Sequence, residues 1–133
     1  MRKENIERVN YPGGSPWEDV VGYSRAVKIG NIVEVSGTTA MDGDKLIGET
    51  VYEQTHFIFC KIEKILNEAG CRMQDVTRTR MFITDISKWE EAAKAHSEFF
   101  KTIMPCATMV EVSRLINEDL LIEIEVSAVL PYS

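Results

Sequence analysis

Only a few side chains in this sequence are suited to acid–base chemistry, and their spacing keeps them apart. Glu123 and Glu125 stand two apart in "IEIEVSAV". Alternation in an extended segment puts both on one side, with Ile122, Ile124 and Val126 on the other. A carboxyl partly withdrawn from water has a raised pKa, which suits Glu123 to general acid or base work. The competing reading is a glutamate on a wet strand face, or one hydrogen-bonded across a subunit contact. His96 falls in helical register with Ala93 and Trp89. It is either an acid–base group near neutral pH or a satisfied histidine at the edge of a core. Thr108, in "MPCATMVEV", offers a hydroxyl to a ligand or water, or is an ordinary β-branched strand residue. Cys106 beside it has neither a helix start nor a basic pair to activate it, so a plain thiol is expected. Tyr23 and Trp89 supply apolar walls with a polar handle, or interface packing, or both.

Other chemistries find little support. His56 and His96 have no partner at metal-ligand spacing, and the three cysteines Cys60, Cys71 and Cys106 form no CxxC pair, so no metal site is expected. An odd number of unpatterned cysteines fits reduced thiols. The net charge is −6, with Lys and Arg scattered, which disfavours a nucleic-acid partner held through its phosphates. No apolar run approaches the ~20 residues that span a bilayer. The start "MRKENIERVN" lacks the apolar stretch of a secretory signal, so a cytoplasmic protein with no membrane partner is the expectation.

The elements that must position these residues follow from pattern. A length of 133 residues suits one domain, 1–133. Its first part, 1–22, reads as a loop punctuated by Pro12, Gly13, Gly14 and Pro16, with Tyr11 and Trp17 available to pin it down. Val27 and Ile29, then Val33 and Val35, predict two strands joined by a Gly30-Asn31 hairpin turn. Gly37, after Ser36, closes the second strand and permits a close approach. A short extra strand is expected at Leu46-Ile47. Val51, Phe57, Ile58, Ile62, Ile65, Leu66 and Ala69 keep helical period. Thr50 and Glu53 form a capping box for that helix, and Gly70 stops it. A strand follows from Val76. A second helix follows, capped at Ser87, with Trp89, Ala92, Ala93, His96, Phe99 and Phe100 facing inward. Pro105 resets the chain to extended geometry. "ATMVEVSRL" and "LLIEIEVSAVL" predict two final strands with "INED" as their turn. The order β-β-α-β-α-β-β predicts an α/β sandwich, a mixed sheet with two helices on one face. Its other face would mix apolar residues with glutamate, a composition that burial in an oligomer explains.

The stretches "GYSRAVKIGNIVEVSG", "FITDISKW", "MVEVSRL" and "IEIEVSAV" closely resemble the RidA/YjgF family, the reactive intermediate deaminases also named endoribonuclease L-PSP. The likeness runs from about Gly22 to the end. It implies a chorismate-mutase-like fold and a homotrimer whose sheets form a barrel with ligand clefts between subunits. It implies hydrolysis of the enamine and imine products of pyridoxal-phosphate enzymes to a keto acid and ammonia, with no metal or organic cofactor. Carried over by motif, Tyr23 matches the tyrosine of a Gly-Pro-Tyr motif, here without its proline. Gly37 matches the Ser-Gly glycine, beside Thr38, and Trp89 matches an aromatic at the start of the second helix. Glu123 matches the water-activating glutamate. Ala107, Thr108 and Met109 occupy the substrate-binding strand.

Two positions depart from the family pattern. The arginine of Pro-x-Arg-Ser/Thr, which grips the substrate carboxylate, is Ala107 in Pro105-Cys106-Ala107-Thr108, and an asparagine of the second helix is Ala93. The connection before Glu123 is also about one residue longer. This marks a divergent branch. A 2-imino acid should bind poorly unless another cation enters the cleft, and Arg25, Arg80 and Arg114 have no position assignable from sequence. Backbone N–H groups near Gly37 and Ala107–Thr108 are candidates for stabilising negative charge. Two function classes stay open: a hydrolytic deaminase of small imines or enamines, and a non-catalytic small-molecule-binding trimer. RNA cleavage or translation inhibition comes last.

Overall fold

The computed structural model describes residues 6–131; the outermost ends of the expected 1–133 domain lie outside the described residues. Six strands form one sheet in the order β1-β2-β3-β8-β6-β7. They are β1 (Arg8–Tyr11), β2 (Ala26–Ile29), β3 (Ile32–Thr38), β6 (Val76–Ile83), β7 (Cys106–Glu111) and β8 (Ile122–Val129). The small strands β4 (Met41–Asp42) and β5 (Lys45–Leu46) pair only with each other. Only β6 and β7 run parallel, so the sheet is mixed, as expected. Helices α2 (Val51–Glu68) and α3 (Trp89–Phe100) pack together on one face, and α1 (Pro16–Val21) is a short third helix.

The first part of the chain corrects the loop reading of 1–22. Arg8–Tyr11 adds a strand against β2, and Pro16–Val21 is helical. Ser15 caps that helix and Glu18 closes a capping box, while Pro16 at the first turn needs no N–H donor there. The Pro and Gly residues therefore mark the two ends of a helix as well as a loop. Tyr11 packs against the core, but Trp17 is 63% exposed and pins nothing within one chain.

Helix α2 matches its sequence pattern. Thr50 and Glu53 form the reciprocal capping box, and Ile58, Phe59, Ile62 and Leu66 are fully buried. Gly70 takes a left-handed φ of 85°, which lets the chain leave the helix without side-chain strain. The Gly30-Asn31 hairpin is also present, with Ile29 opposite Ile32 and Gly30 at φ 60°. At α3 the expected Ser87 cap is absent. Asp85 instead accepts from Ser87 N and caps a 3₁₀ turn, Ile86–Lys88, that feeds the helix. That turn rotates Trp89 outward, leaving it 51% exposed rather than inward-facing.

The last two strands are not a hairpin. β6 lies between them, parallel to β7 and antiparallel to β8. β7 stops at Glu111, so the connection runs from 112 to 121 rather than through a four-residue turn. Buried Gln54 of α2 holds this connection: its Nε2 donates to Asp119 O at 3.1 Å, and its Oε1 accepts from Leu121 N at 2.9 Å. A buried amide satisfied at both ends fixes the entry to β8, and so the start of the strand that carries Glu123.

Along β8, Ile122, Ile124, Val126 and Ala128 are buried beneath the helices, while Glu123, Glu125 and Ser127 point to the open face. That face mixes exposed Ile29, Ile32, Val110 and Val129 with an Arg80–Glu125 ion pair at 3.5 Å and a Ser127–Glu34 hydrogen bond at 2.6 Å.

Candidate active site

Glu123 lies where β8 passes a break in the β3 register. The β3–β8 pairing shifts between Val35 and Thr38, so Ser36 and Gly37 have no partner in the ladder. Gly37 leaves this bulge open. A β-carbon on it would collide with the Glu123 carboxylate. The absent side chain of Gly37 is therefore the space that the Glu123 carboxylate occupies.

Burial pushes the Glu123 carboxyl above the usual glutamate range, the nearby Arg25 charge draws it partly back down, and Glu125 pushes it up again. The desolvation effect wins. Glu123 therefore holds a proton more tightly than an exposed glutamate, and as a carboxylate it is the stronger base.

Arg25 is the residue that the sequence reading could not place. Tyr23 and Arg25 are two apart, and the Arg25 guanidinium lies 5.9 Å from the centre of the Tyr23 ring. Its Nη2 donates to the Gly37 carbonyl, which ties the residue just before β2 to the bulge. Burial lowers its pKa, opposed by Tyr23, Glu18 and Glu123. Glu18 accepts from Gly13 N and Ser15 N, which folds the 12–15 loop against the Arg25 side chain. Below the bulge, Lys61 Nζ donates to Thr39 O at 2.9 Å and Met41 O at 2.6 Å. Burial and then Arg25 lower its pKa. Thr38 is buried and donates its hydroxyl to Ser36 O at 2.8 Å, so it braces the bulge rather than facing a ligand.

The remaining site residues gather elsewhere. Ala107 aligns with Thr79 on the helix-covered side of the sheet, and Thr79 Oγ1 lies 2.9 Å from His96 Nε2. Met81, Ala93, His96, Ser97, Ala107, Thr108 and Met109 line a groove of ≈ 310 Å³ between β7 and α3. His96 is packed edge-on to Phe59 and tilted against Phe100, and burial lowers its pKa, so it favours the neutral form. Thr108 turns to the other side, where it accepts from Arg78 Nη1 at 3.4 Å.

Within one chain, then, Gly37 and Glu123 are brought together and joined to Tyr23 through Arg25, and Ala107, Met109 and His96 are brought together, but the two groups are not. Ala107 is level with Val126 through Thr79, three residues along β8 from Glu123 and two strands away. Strand geometry puts that at roughly 14 Å between backbones, with side chains on opposite faces. Residues that sequence reasoning missed are Glu18, Gln54 and Lys61. Arg25 had a usable signal, because alternation from Tyr23 puts the two on one side. Gln54 and Lys61 had none, since the groups they hold at 119–121 and 39–41 are backbone groups remote in sequence. Among the described residues no cluster of His, Cys, Asp and Glu could hold a metal ion, and no helix is long and apolar enough to cross a membrane.

Comparison with known proteins agrees on one lineage. The endoribonuclease L-PSP family model matches residues 15–130. An uncharacterized protein of Streptomyces coelicolor is 37% identical over 129 residues, covering 96% of this chain and 95% of its own length. A RutC family protein of Pyrococcus abyssi is 34% identical over 108 residues, covering 80% of this chain and 84% of its own. The crystal structure of a Mycobacterium tuberculosis member of the YjgF/YER057c/UK114 family superposes with a TM-score of 0.87 at 43% identity, over 93% of this chain and 100% of that one.

Proposed function

This chain belongs to the RidA/YjgF (endoribonuclease L-PSP) family, and on that premise we propose that it hydrolyses a small imine or enamine in a cleft completed by a second copy of itself. The carrying observation is Glu123: half-buried, seated in the space left by Gly37, with its carboxyl raised by burial. In the reaction Glu123 accepts a proton from water while the oxygen adds to the imine carbon. The nitrogen is protonated, the C–N bond breaks, ammonia leaves and a carbonyl remains. Tyr23 supplies an aromatic wall, and the Ser36–Gly37 bulge places backbone groups outside the ladder near the developing charge. No cofactor takes part.

The second copy is required by the distance between the two residue groups on one chain. In a homotrimer packed through the open sheet face, the Ala107–Met109 groove of one subunit meets Glu123 of the next. The exposed Ile29, Ile32, Val110 and Val129 would then be covered. The expected location is the cytoplasm, and nucleic acid is not an expected partner at a net charge of −6. A non-catalytic binding trimer is the second reading, favoured by one observation, the bare Ala107 wall. The deciding assay couples an amino-acid oxidase to trapping of the imine by semicarbazide. Wild-type protein should divert imine from the trap, and Glu123→Gln should not. Equal diversion by both would remove Glu123 from the chemistry. No diversion by either, across several amino acids, would favour the binding reading. Light scattering that gave a monomer at micromolar concentration would reject the shared cleft.

A further inference from the structure

The β7–α3 groove contains one histidine, and its two ring nitrogens are in different circumstances. His96 Nε2 lies 2.9 Å from Thr79 Oγ1. Thr79 is fully buried, and its hydroxyl makes no other hydrogen bond among the described residues. A buried hydroxyl proton without an acceptor is costly, whereas an idle oxygen lone pair costs less. The hydroxyl therefore donates to Nε2, and the ring proton of the neutral imidazole sits on Nδ1. Burial lowers the His96 pKa, so the neutral form is the one present near neutral pH. The Phe59 and Phe100 rings, with centroids 5.6 Å and 4.8 Å from that of His96, hold the imidazole in place. Nδ1 has no partner among the described residues and is not sealed from solvent, so its N–H opens on the groove that His96 lines.

We propose that His96 is the specificity-determining residue of this groove: its Nδ1–H donates to an uncharged carbonyl oxygen, so the site prefers an imine or enamine carrying a neutral carbonyl group, such as an amide, to one carrying a carboxylate. The proposal rests on the reading of the groove as one wall of the cleft that Glu123 serves, and it names the substrate class of that cleft. The rest of the groove fits. No lysine or arginine lines it, and Met81, Ala93, Ala107 and Met109 make its wall apolar. Thr108 is engaged by Arg78 on the other side of the sheet. A carboxylate placed against this wall gives up its hydration and meets one neutral donor, which repays little of the loss. A neutral carbonyl gives up less and uses the same donor fully. A site that offers one well-placed donor also discriminates against an apolar isostere, because the donor is left unpaired. The missing charge at Ala107 is then a change of substrate rather than a loss of function.

The test reads the tautomer and the ligand preference separately, in the intact protein. The first readout is a long-range proton–nitrogen NMR spectrum of protein isotope-labelled at its two histidines, taken at about pH 8, where imidazole is neutral. His96 should show a protonated Nδ1 and a bare Nε2, and its assignment needs only the exposed His56 replaced, in His56→Gln. The reverse tautomer would overturn the proposal. The second readout titrates three unreactive probes: 2-oxobutanamide, its apolar isostere 2-methyl-3-pentanone, and 2-oxobutyrate. Wild type should bind the amide about threefold to tenfold tighter than the isostere, the worth of one neutral hydrogen bond. It should bind the acid more weakly than the amide, and the amide should move the His96 Nδ1 signal. His96→Phe in a Thr79→Val background removes both partners of the internal bond together, and it should bind amide and isostere equally. His96→Gln, which keeps an amide N–H, should retain part of the preference. Equal binding of amide and isostere by wild type, acid bound as tightly as the amide, or a preference that survives in the double variant would each overturn the proposal. None of these readouts uses turnover. Protein that fails to divert imine yet ranks the amide first rejects the hydrolysis reading and keeps the role of His96. Protein that diverts imine but ranks the probes equally does the opposite.

Discussion

The two halves of the candidate site are built by opposite means. Around Glu123 almost every polar group is tied down. Arg25 holds the Gly37 carbonyl, Lys61 holds Thr39 and Met41, Thr38 holds Ser36, and Glu18 holds the loop that packs on Arg25. Around Ala107 the wall is small and apolar, with Ala93, Met81 and Met109, and its single titratable group is already bonded to Thr79. The first half has charge and rigidity without room for a side chain. The second has room without charge. On the proposed function, the β3–β8 half supplies the chemistry and the β7–α3 half shapes what fits beside it.

The widest gap between the halves should appear on removing the base. Glu123→Gln is expected to lower kcat/KM by about 10²–10⁴-fold, the ordinary contribution of a general base, whereas His96→Gln should lower it by less than about threefold, because His96 is already bonded to Thr79 within the protein. Both are read in the imine-diversion assay. Parity between the two variants would erase the distinction.

Filling the spaces should come next. Gly37→Ala places a β-carbon where the Glu123 carboxylate sits, and overpacking of this kind typically costs about 1–3 kcal/mol. Activity should fall at least about tenfold through displacement of the acid. Ala107→Arg fills an open groove instead, so it should fold normally. It should gain about one to two decades on 2-imino acids by adding a charge-assisted contact, and that gain should vanish in the Glu123→Gln background. A gain of nothing would mean that Ala93 and the longer connection before Glu123 have moved the two halves out of register.

A smaller effect is electrostatic. Glu123 must be ionised to act as a base, and burial holds its pKa above the ordinary value of about 4.3. The acid limb of kcat/KM should therefore lie above the usual glutamate range. Arg25 opposes the rise, so Arg25→Met should move that limb to still higher pH. A limb that does not move would show that Arg25 is too well screened to influence Glu123.

The smallest effect concerns stability in the other half. Burial holds His96 below its unfolded pKa of about 6.5, so the unfolded state binds the extra proton first. Its contribution is complete above that unfolded pKa and is lost as pH falls through the folded value. His96→Gln should flatten the acid-side decline in Tm by about 1 °C per pH unit, after allowing for solvent screening. An identical decline in wild type and variant would assign the pH dependence to carboxylates elsewhere.

By itself the sequence determined the features that rest on local rules. The apolar period of α2, its Thr50–Glu53 cap and its Gly70 stop are visible because each depends on residues within one or two helical turns. The Gly30-Asn31 hairpin and the alternation of β8 are equally local. The motifs around Tyr23, Gly37 and Glu123 carried the family assignment for the same reason: they are contiguous strings. Helix α1 was hidden by prolines and glycines that read as loop, although Ser15 and Glu18 spelled a capping box. Only the tertiary structure decided the rest. It inserted β6 between β7 and β8, so that one strand separates Ala107 from Glu123, and the register of the three strands put the two side chains on different faces. It also placed Arg25 at the Gly37 carbonyl and fixed the entry to β8 through Gln54. Those contacts join residues far apart in the chain through backbone groups, and a backbone carbonyl has no letter in the sequence. Its position exists only once the sheet order and the bulge are formed.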